Sequence, residues 1–449
     1  MKNKSLKAYT ASIIASIILC YSSQLAAACS LISPACNDGA VVTARTLDYD
    51  GLNFFDLSSL NYAPVGSTFP TQLPIANQTT HTAKYGYVLQ KADLVENSST
   101  WVLDGMNTQG LSLSLLYQYV VPFHARFNAS SRATQQVNLL DLFTYSLAMF
   151  SSVKEVREFL NPETMQITTH FDGPTAESVN AMFSGDPDIP SPDPDGTFYV
   201  PAHVHYADGS GDSILVEGTS NDSYAVYDTR VVTNEPSYPE IVQQREAWLK
   251  ANFSGLPGVT PAPLPTLPAV IPFNSGVDNK RIGDWGSTAR NLRLWLTLQN
   301  CSSYPWPHYS WSPGDTNFTD SAQKLPPPGS FRALKRAENF IGSVVVPMSQ
   351  LATDGVEAGE DLYATEGIAM KDSTDRVYYY KSAQNNNWFS VDLKKLENST
   401  IALTFPFGPQ DTPFSIDVTP TSGSGSKVSL RVSLSLSMIM TLLYVLGPS

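Results

Sequence analysis

Positive charge is scarce in this 449-residue sequence: 28 Lys and Arg stand against 41 Asp and Glu, for a formal net charge of −13. A nucleic-acid partner calls for a basic patch, so that class of function is excluded. Histidine is rarer still, with six copies. His81, His124, His170, His203, His205 and His308 fall at no recognisable catalytic or metal-ligand spacing, so no metal and no organic cofactor is expected. His203 and His205 would share one strand face, a pattern more typical of surface polar residues than of ligands. The signatures GxxxxGK(S/T), HExxH and GxSxG are missing, which removes the P-loop, zincin and α/β-hydrolase chemistries. Long apolar runs are missing too: the C-terminal stretch Val432 to Leu446 is short for a membrane span. Cysteine is limited to four copies, Cys20, Cys29, Cys36 and Cys301.

What is present begins with an apolar content of 42% over a long chain, enough for a large core. Residues 1–28 read as a signal peptide: Lys2, Lys4 and Lys7 form a positive start, Ala11 to Tyr21 an apolar centre, and Ala26-Ala27-Ala28 a small-residue cleavage site. Cys20 leaves with it. An odd number of cysteines then remains, which flags one free thiol in an exported chain. If Cys36 and Cys301 pair, the free one is Cys29. Asn-x-Ser/Thr sequons at Asn77, Asn97, Asn128, Asn221, Asn252, Asn300, Asn317 and Asn398 fit a secreted glycoprotein. Residues 421–449 combine a Ser/Gly spacer with the apolar tail. That resembles a GPI-attachment signal, a membrane anchor for a cell-surface protein; an ordinary amphipathic terminal segment reads equally well. Residues 29–420 are expected to form one mature domain.

Along that domain, Asn37-Asp38-Gly39 is a hairpin signal, followed by a strand over Ala40 to Asp48. A turn centred on Asp38-Gly39 would set position 29 opposite position 48. Strands are also expected within Tyr87–Leu103, over Leu111–Val121, Phe198–Tyr206, Ser213–Glu217 and Tyr224–Asn234, with a turn at Asp104-Gly105. Further strands are expected at Val344–Val346, Val377–Lys381, Trp388–Leu393 and Thr400–Phe405. Helical spacing marks Gln135–Phe150, Ala289–Leu298 and Phe331–Ile341, and Ser152 with Glu155 forms a capping box for a helix through Leu160. Leu256–Pro272 and Cys301–Pro328 are Pro-rich inserts. Strands in runs and helices in pairs argue for an α+β fold, antiparallel sheets with helices layered outside.

Cys29 carries the chemical expectation. As the first residue after cleavage it would combine a thiol nucleophile with an α-amine whose pKa lies near 8, a base beside its own nucleophile. A lipoprotein cysteine and a plain disulfide cysteine are the competing readings of the local sequence.

Four segments in order resemble the choloylglycine hydrolase and penicillin V acylase family. These are Cys29 with Val41-Val42-Thr43-Ala44-Arg45-Thr46-Leu47-Asp48, then Asp104-Gly105-Met106-Asn107-Thr108-Gln109-Gly110-Leu111, then Val231-Val232-Thr233-Asn234-Glu235-Pro236, and late strands around Val377-Tyr378-Tyr379 and Phe389-Ser390-Val391. The resemblance implies a four-layer αββα fold of the N-terminal-nucleophile hydrolases and cleavage of linear amides of small N-acyl amines. It implies Cys29 as nucleophile, Arg45 beside the thiolate, Asp48 holding the α-amine and Asn234 donating to the oxyanion. Tyr117 would complete the oxyanion hole through its backbone N–H and line the pocket with its ring, tilting preference from bile salts toward aromatic or fatty acyl amides. The last arginine would be Arg290 in Ser287-Thr288-Ala289-Arg290, with Arg332 as a rival. Relatives of this kind often form homo-oligomers. A non-catalytic exported or lipid-anchored binding protein on the same fold is the alternative.

Overall fold

In the computed structural model, Val42–Asp50 forms a strand whose alternation sends Val42, Ala44, Thr46 and Asp48 to one side and Thr43, Arg45 and Leu47 to the other. This division organises the molecule. The structure describes residues 29–34, 40–50, 58–71, 79–92, 101–118, 120–127, 135–171, 173–183, 190–219, 223–253, 287–299, 328–345, 363–382, 388–406 and 415–417, all belonging to one compact unit. The signal segment, Cys36, Cys301, both Pro-rich inserts and the C-terminal tail fall outside the described residues.

A seven-stranded sheet runs in the order β14 (Val231–Thr233), β1 (Ser30–Ile32), β2 (Val42–Asp50), β15 (Tyr363–Asp372), β16 (Val377–Ser382), β17 (Trp388–Asp392), β19 (Ser415–Asp417). An eight-stranded sheet runs β13 (Ser223–Asp228), β12 (Ser213–Thr219), β11 (Ala202–Ala207), β8 (Ser112–Tyr117), β7 (Trp101–Asn107), β6 (Tyr87–Ala92), β3 (Ser58–Ala63), β18 (Leu403–Pro406). Two small pairs complete the described strands: β4 (Thr68–Pro70) with β5 (Thr80–Thr82), and β9 (Gln135–Asn138) with β10 (Met165–Thr168). The helices are α1 (Leu139–Met149), α2 (Val153–Phe159), α3 (Gly173–Phe183), α4 (Tyr238–Phe253), α5 (Ser287–Gln299), α6 (Pro328–Gly342) and the single turn α7 (Leu393–Leu396).

The two large sheets pack face to face. Leu31, Leu47, Ala369, Tyr378 and Tyr380 of the first and Leu116 of the second belong to one continuous apolar core. The outer face of the first sheet buries Ile32, Val42, Ala44, Ile368 and Met370 against Leu294 of α5 and Ala333, Ala337 and Ile341 of α6. Helices α1 and α2 cover the outer face of the second sheet, with α1 over β6, β7 and β8. The layers are therefore helix, sheet, sheet, helix.

Local chemistry explains several boundaries. Helix α1 starts at Leu139 because the Asn138 side chain accepts from Leu140 N, a cap worth about 1 kcal/mol. Gln135–Asn138, expected as helix, is a strand paired with Met165–Thr168. Ser152 caps α2 as expected, its side chain accepting from Glu155 N, while the Glu155 carboxylate reaches back to Ser151 N.

The Asp104-Gly105 turn is not formed. Both residues sit inside β7, where Gly105 is needed because a Cβ there would meet the Val88 carbonyl oxygen of β6 at 2.7 Å. The turn comes three residues later: Asn107 Oδ1 accepts from Gln109 N and Leu111 N, and Gly110 adopts φ 89°. Tyr224–Asn234 is two strands rather than one. β13 ends on the edge of the second sheet, and β14 begins on the edge of the first. Val344 lies in a turn after α6 rather than in a strand.

Candidate active site

The site forms where β1, β2 and β14 lie side by side. The observed register pairs Ser30 with Thr46 and Leu31 with Arg45, one residue away from the expected alignment, so Cys29 falls opposite Leu47. Cys29, Arg45 and Leu47 thus share the inner side, facing the second sheet. Asp48 shares the outer side with Ser30 and Thr46.

On the inner side, Cys29 is a free thiol, 2% exposed. Arg45 Nη2 donates to its Sγ at 3.1 Å. The same guanidinium crosses the sandwich: Nη1 donates to Leu103 O and Leu115 O, each at 2.7 Å, and reaches Asp104 Oδ2 at 3.4 Å. Arg45 is held by the carbonyls of β7 and β8. Burial pushes the Cys29 thiol above its ordinary range. Arg45 pulls the other way, Asp48 adds to the rise, and the Asp48 backbone N–H lowers it again. Burial and the Asp48 charge thus oppose the thiolate, and the Arg45 guanidinium favours it.

On the outer side, Asp48 is fully buried and holds three donors. Thr365 Oγ1 donates to Oδ1 at 2.6 Å, while Thr46 Oγ1 and Arg290 Nη1 donate to Oδ2 at 3.1 and 2.8 Å. Burial raises the carboxyl; Arg290, Thr365 and Thr46 oppose the rise in that order. Arg290, on the first turn of α5, also donates to Ser30 Oγ at 2.8 Å and Ser287 Oγ at 3.2 Å. Of the two rival arginines, Arg290 is the one brought to Asp48; the Arg332 side chain lies outside the described residues.

Asn234 completes the inner side. β14 pairs with β1 through Ser30 and Thr233, so the next step of the register sets Asn234 opposite Cys29 and on its side of the sheet. Asn234 is fully buried, and neither its Nδ2 nor its Oδ1 has a hydrogen-bond partner. Such an amide costs about 1–3 kcal/mol unless something else engages it. Tyr117 ends β8, half-buried. Alternation sets it with Leu113 and Leu115, toward α1, and away from the side that Ser114 and Leu116 present to the first sheet.

Three residues were missed by sequence reasoning. Thr365 and Lys371, both on β15, come to the site only by the pairing of β15 with β2. Lys371 is fully buried, donates to Asp104 Oδ1 and Oδ2 at 2.8 Å each, and also touches Ser114 Oγ. Burial brings its amine down to about 8 against the pull of Asp104. Asp104 itself was read as a turn residue. His203 and His205 are not on the surface: both are 1% exposed and face the first sheet from β11. Burial, with Arg45 as the second cause for His203 and Lys371 for His205, brings both imidazoles down to about 3. No cluster of three or more metal-ligating side chains occurs among the described residues. No helix among them is long and apolar enough to cross a membrane.

A family model, linear amide C–N hydrolases, choloylglycine hydrolase family, matches residues 29–258. No curated protein sequence matches the chain. Among solved structures, the penicillin V acylase of Agrobacterium tumefaciens is similar at 18% identity and a TM-score of 0.57, covering 86% of this chain and 94% of that one. Two variants of the conjugated bile acid hydrolase of Clostridium perfringens are similar at 17% identity. Their TM-scores are 0.54 and 0.55, with coverage of 84% and 87% of this chain and 96% and 98% of theirs. The four layers are those of the N-terminal-nucleophile hydrolase fold.

Proposed function

From the premise that the chain belongs to the choloylglycine hydrolase family of linear amide C–N hydrolases, we propose that it is an exported amidase whose nucleophile is Cys29, acting as the first residue of the mature chain. The carrying observation is the buried Cys29 thiol with the Arg45 guanidinium 3.1 Å from sulfur and the unpartnered Asn234 amide directly after the neighbouring strand.

In this mechanism the α-amine of Cys29 takes the thiol proton as sulfur attacks the carbonyl of an N-acyl amine. Arg45 stabilises the sulfur's developing charge, and Asp48, tied to Arg290, holds the amine. Asn234 Nδ2 and the Tyr117 backbone N–H would receive the oxyanion. Because alternation turns the Tyr117 ring toward the helical layer, the ring is given no part. Collapse of the tetrahedral intermediate expels the amine, which leaves with the proton from the α-ammonium. Water, deprotonated by the same amine, then opens the thioester and frees the acid.

Substrates are proposed to be N-acyl small amines: penicillin V, fatty acyl amides, acyl-homoserine lactones or conjugated bile acids. Export and glycosylation are proposed from the leader and the sequons; of the latter, Asn398 lies exposed. The test joins two measurements on secreted protein: N-terminal sequencing of the mature chain, and hydrolysis of a panel of such amides compared with Cys29→Ala. A mature chain beginning at Cys29 and at least a thousandfold loss in the variant are expected. A terminus elsewhere, a blocked amine, or equal activity in Cys29→Ala refutes the amidase and favours a binding protein on the same fold.

A further inference from the structure

Building on the proposed role of Cys29 as nucleophile, we propose that Lys371 and Asp104 are positioning residues for the reaction: Lys371 engages the Asp104 carboxylate so that Arg45 is left to serve the sulfur. Neither residue touches the thiol; both act through Arg45.

The geometry that points there is a row of three buried charges between the sheets. Lys371, Asp104 and Arg45 are 0%, 0% and 1% exposed. Asp104 could in principle pair with either cation. It gives both oxygens to Lys371 Nζ at 2.8 Å and offers Arg45 one longer contact at 3.4 Å. Arg45 spends Nη1 on the carbonyls of Leu103 and Leu115 and turns Nη2 to Cys29 Sγ. A carboxylate lacking a lysine would draw a guanidinium into the bidentate pair that the two groups favour. That pair would take the arm now directed at sulfur.

Charge balance supports the same division. On the outer side of the first sheet, Asp48 is matched by Arg290. On the inner side, Asp104 lies between Lys371 at 2.8 Å and Arg45 at 3.4 Å, so two buried cations face one carboxylate. His203 and His205 of β11 are neutral, brought down to about 3. Tyr378 and Tyr380 of β16 are held neutral by burial. A thiolate at Cys29 would add a second anion beside these two cations, so the network favours sulfur in its reactive form while desolvation opposes it.

The test is the rate at which iodoacetamide alkylates Cys29 between pH 5 and 9, read by mass spectrometry on the full secreted chain, together with kcat and KM. It compares Lys371→Met, Asp104→Asn and the double variant. Lys371→Met leaves Asp104 to compete for Arg45; its alkylation profile is expected to move to higher pH, with a rate about tenfold lower near neutrality, and kcat falls while KM holds. Asp104→Asn removes the competitor and is expected to move the profile to lower pH. The double variant returns toward wild type. Shifts in the same direction for both single variants, or a double variant as impaired as Lys371→Met, would mean that the network only holds the sheets together and would overturn the proposal. Should Lys371→Met not fold, Asp104→Asn and the double variant still decide the sign. A wild-type Cys29 that no reagent labels removes the nucleophile assignment itself; a labelled Cys29 indifferent to both substitutions removes only the positioning role.

Discussion

Arg290 Nη1 stands 2.8 Å from Asp48 Oδ2, and neither side chain reaches solvent. The pair joins the first turn of α5 to the middle of the first sheet. A buried ion pair adds little net stability over an apolar pair of the same shape, but breaking one leaves an uncompensated charge. Arg290→Leu is therefore expected to cost about 3–5 kcal/mol in urea unfolding. Adding Asp48→Asn should recover much of that loss while leaving hydrolysis abolished. Single and double variants of equal stability would show that the pair carries no such strain.

Asn234 separates stability from catalysis. Its amide has no partner to lose, so Asn234→Leu should keep or raise the unfolding midpoint. If the amide receives the oxyanion, kcat falls by about 10²–10³ with KM little changed. A variant with full kcat would remove Asn234 from the reaction.

His203 should govern part of the acid response. Its folded value, about 3, lies below its ordinary 6.5. The unfolded chain therefore takes up the proton first, and stability is lost as pH falls from about 6.5 toward 3. Neither ring nitrogen has a hydrogen-bond partner. His203→Leu should gain on wild type by about 1.4 kcal/mol per pH unit across that window, measured by denaturant titration at several pH values. A constant difference between the two proteins would contradict the buried neutral imidazole.

Glu217 works in the opposite sense. It is 1% exposed, and burial raises it to about 7, against hydrogen bonds from Tyr238 N and Gln118 Nε2. The folded protein holds this proton longer than the unfolded chain, so stability is lost as pH rises from about 4.5 to 7. Glu217→Gln keeps a hydrogen-bonding group without the charge. Its stability relative to wild type should climb over that interval and level off above it, by about 3 kcal/mol in all.

Much of the site was legible because its parts lie on short, strongly patterned segments. Alternation in Val42–Asp48 fixed a strand, and the spacing of Cys29, Arg45 and Asp48 brought them to one end of the sheet. What alternation also implied, and the sequence reading passed over, is that residues 45 and 48 must point to opposite sides. The Asp104-Gly105 pair looked like a turn because that dipeptide is a local turn signal. Its real surroundings, Lys371 and Ser114, depend on a strand 267 residues away in the chain. The same distance hid Thr365 and Lys371. His203 and His205 looked superficial because a polar–apolar alternation suits a solvated sheet face equally well. Here that face is roofed by a second sheet, which no local pattern reveals.

The two residues between β13 and β14, Thr229 and Arg230, carry the chain from one sheet to the other, and Asn234 follows directly from that bridge. The amide beside the sulfur is thereby geared to the sandwich as a whole. Shortening the bridge by one residue would rotate Thr233 or Glu235 into the place of the amide, and any sliding of the sheets would drag it along the groove. Chemical alignment in this molecule is a matter of how tightly two sheets are clamped, as well as of which side chains they bear.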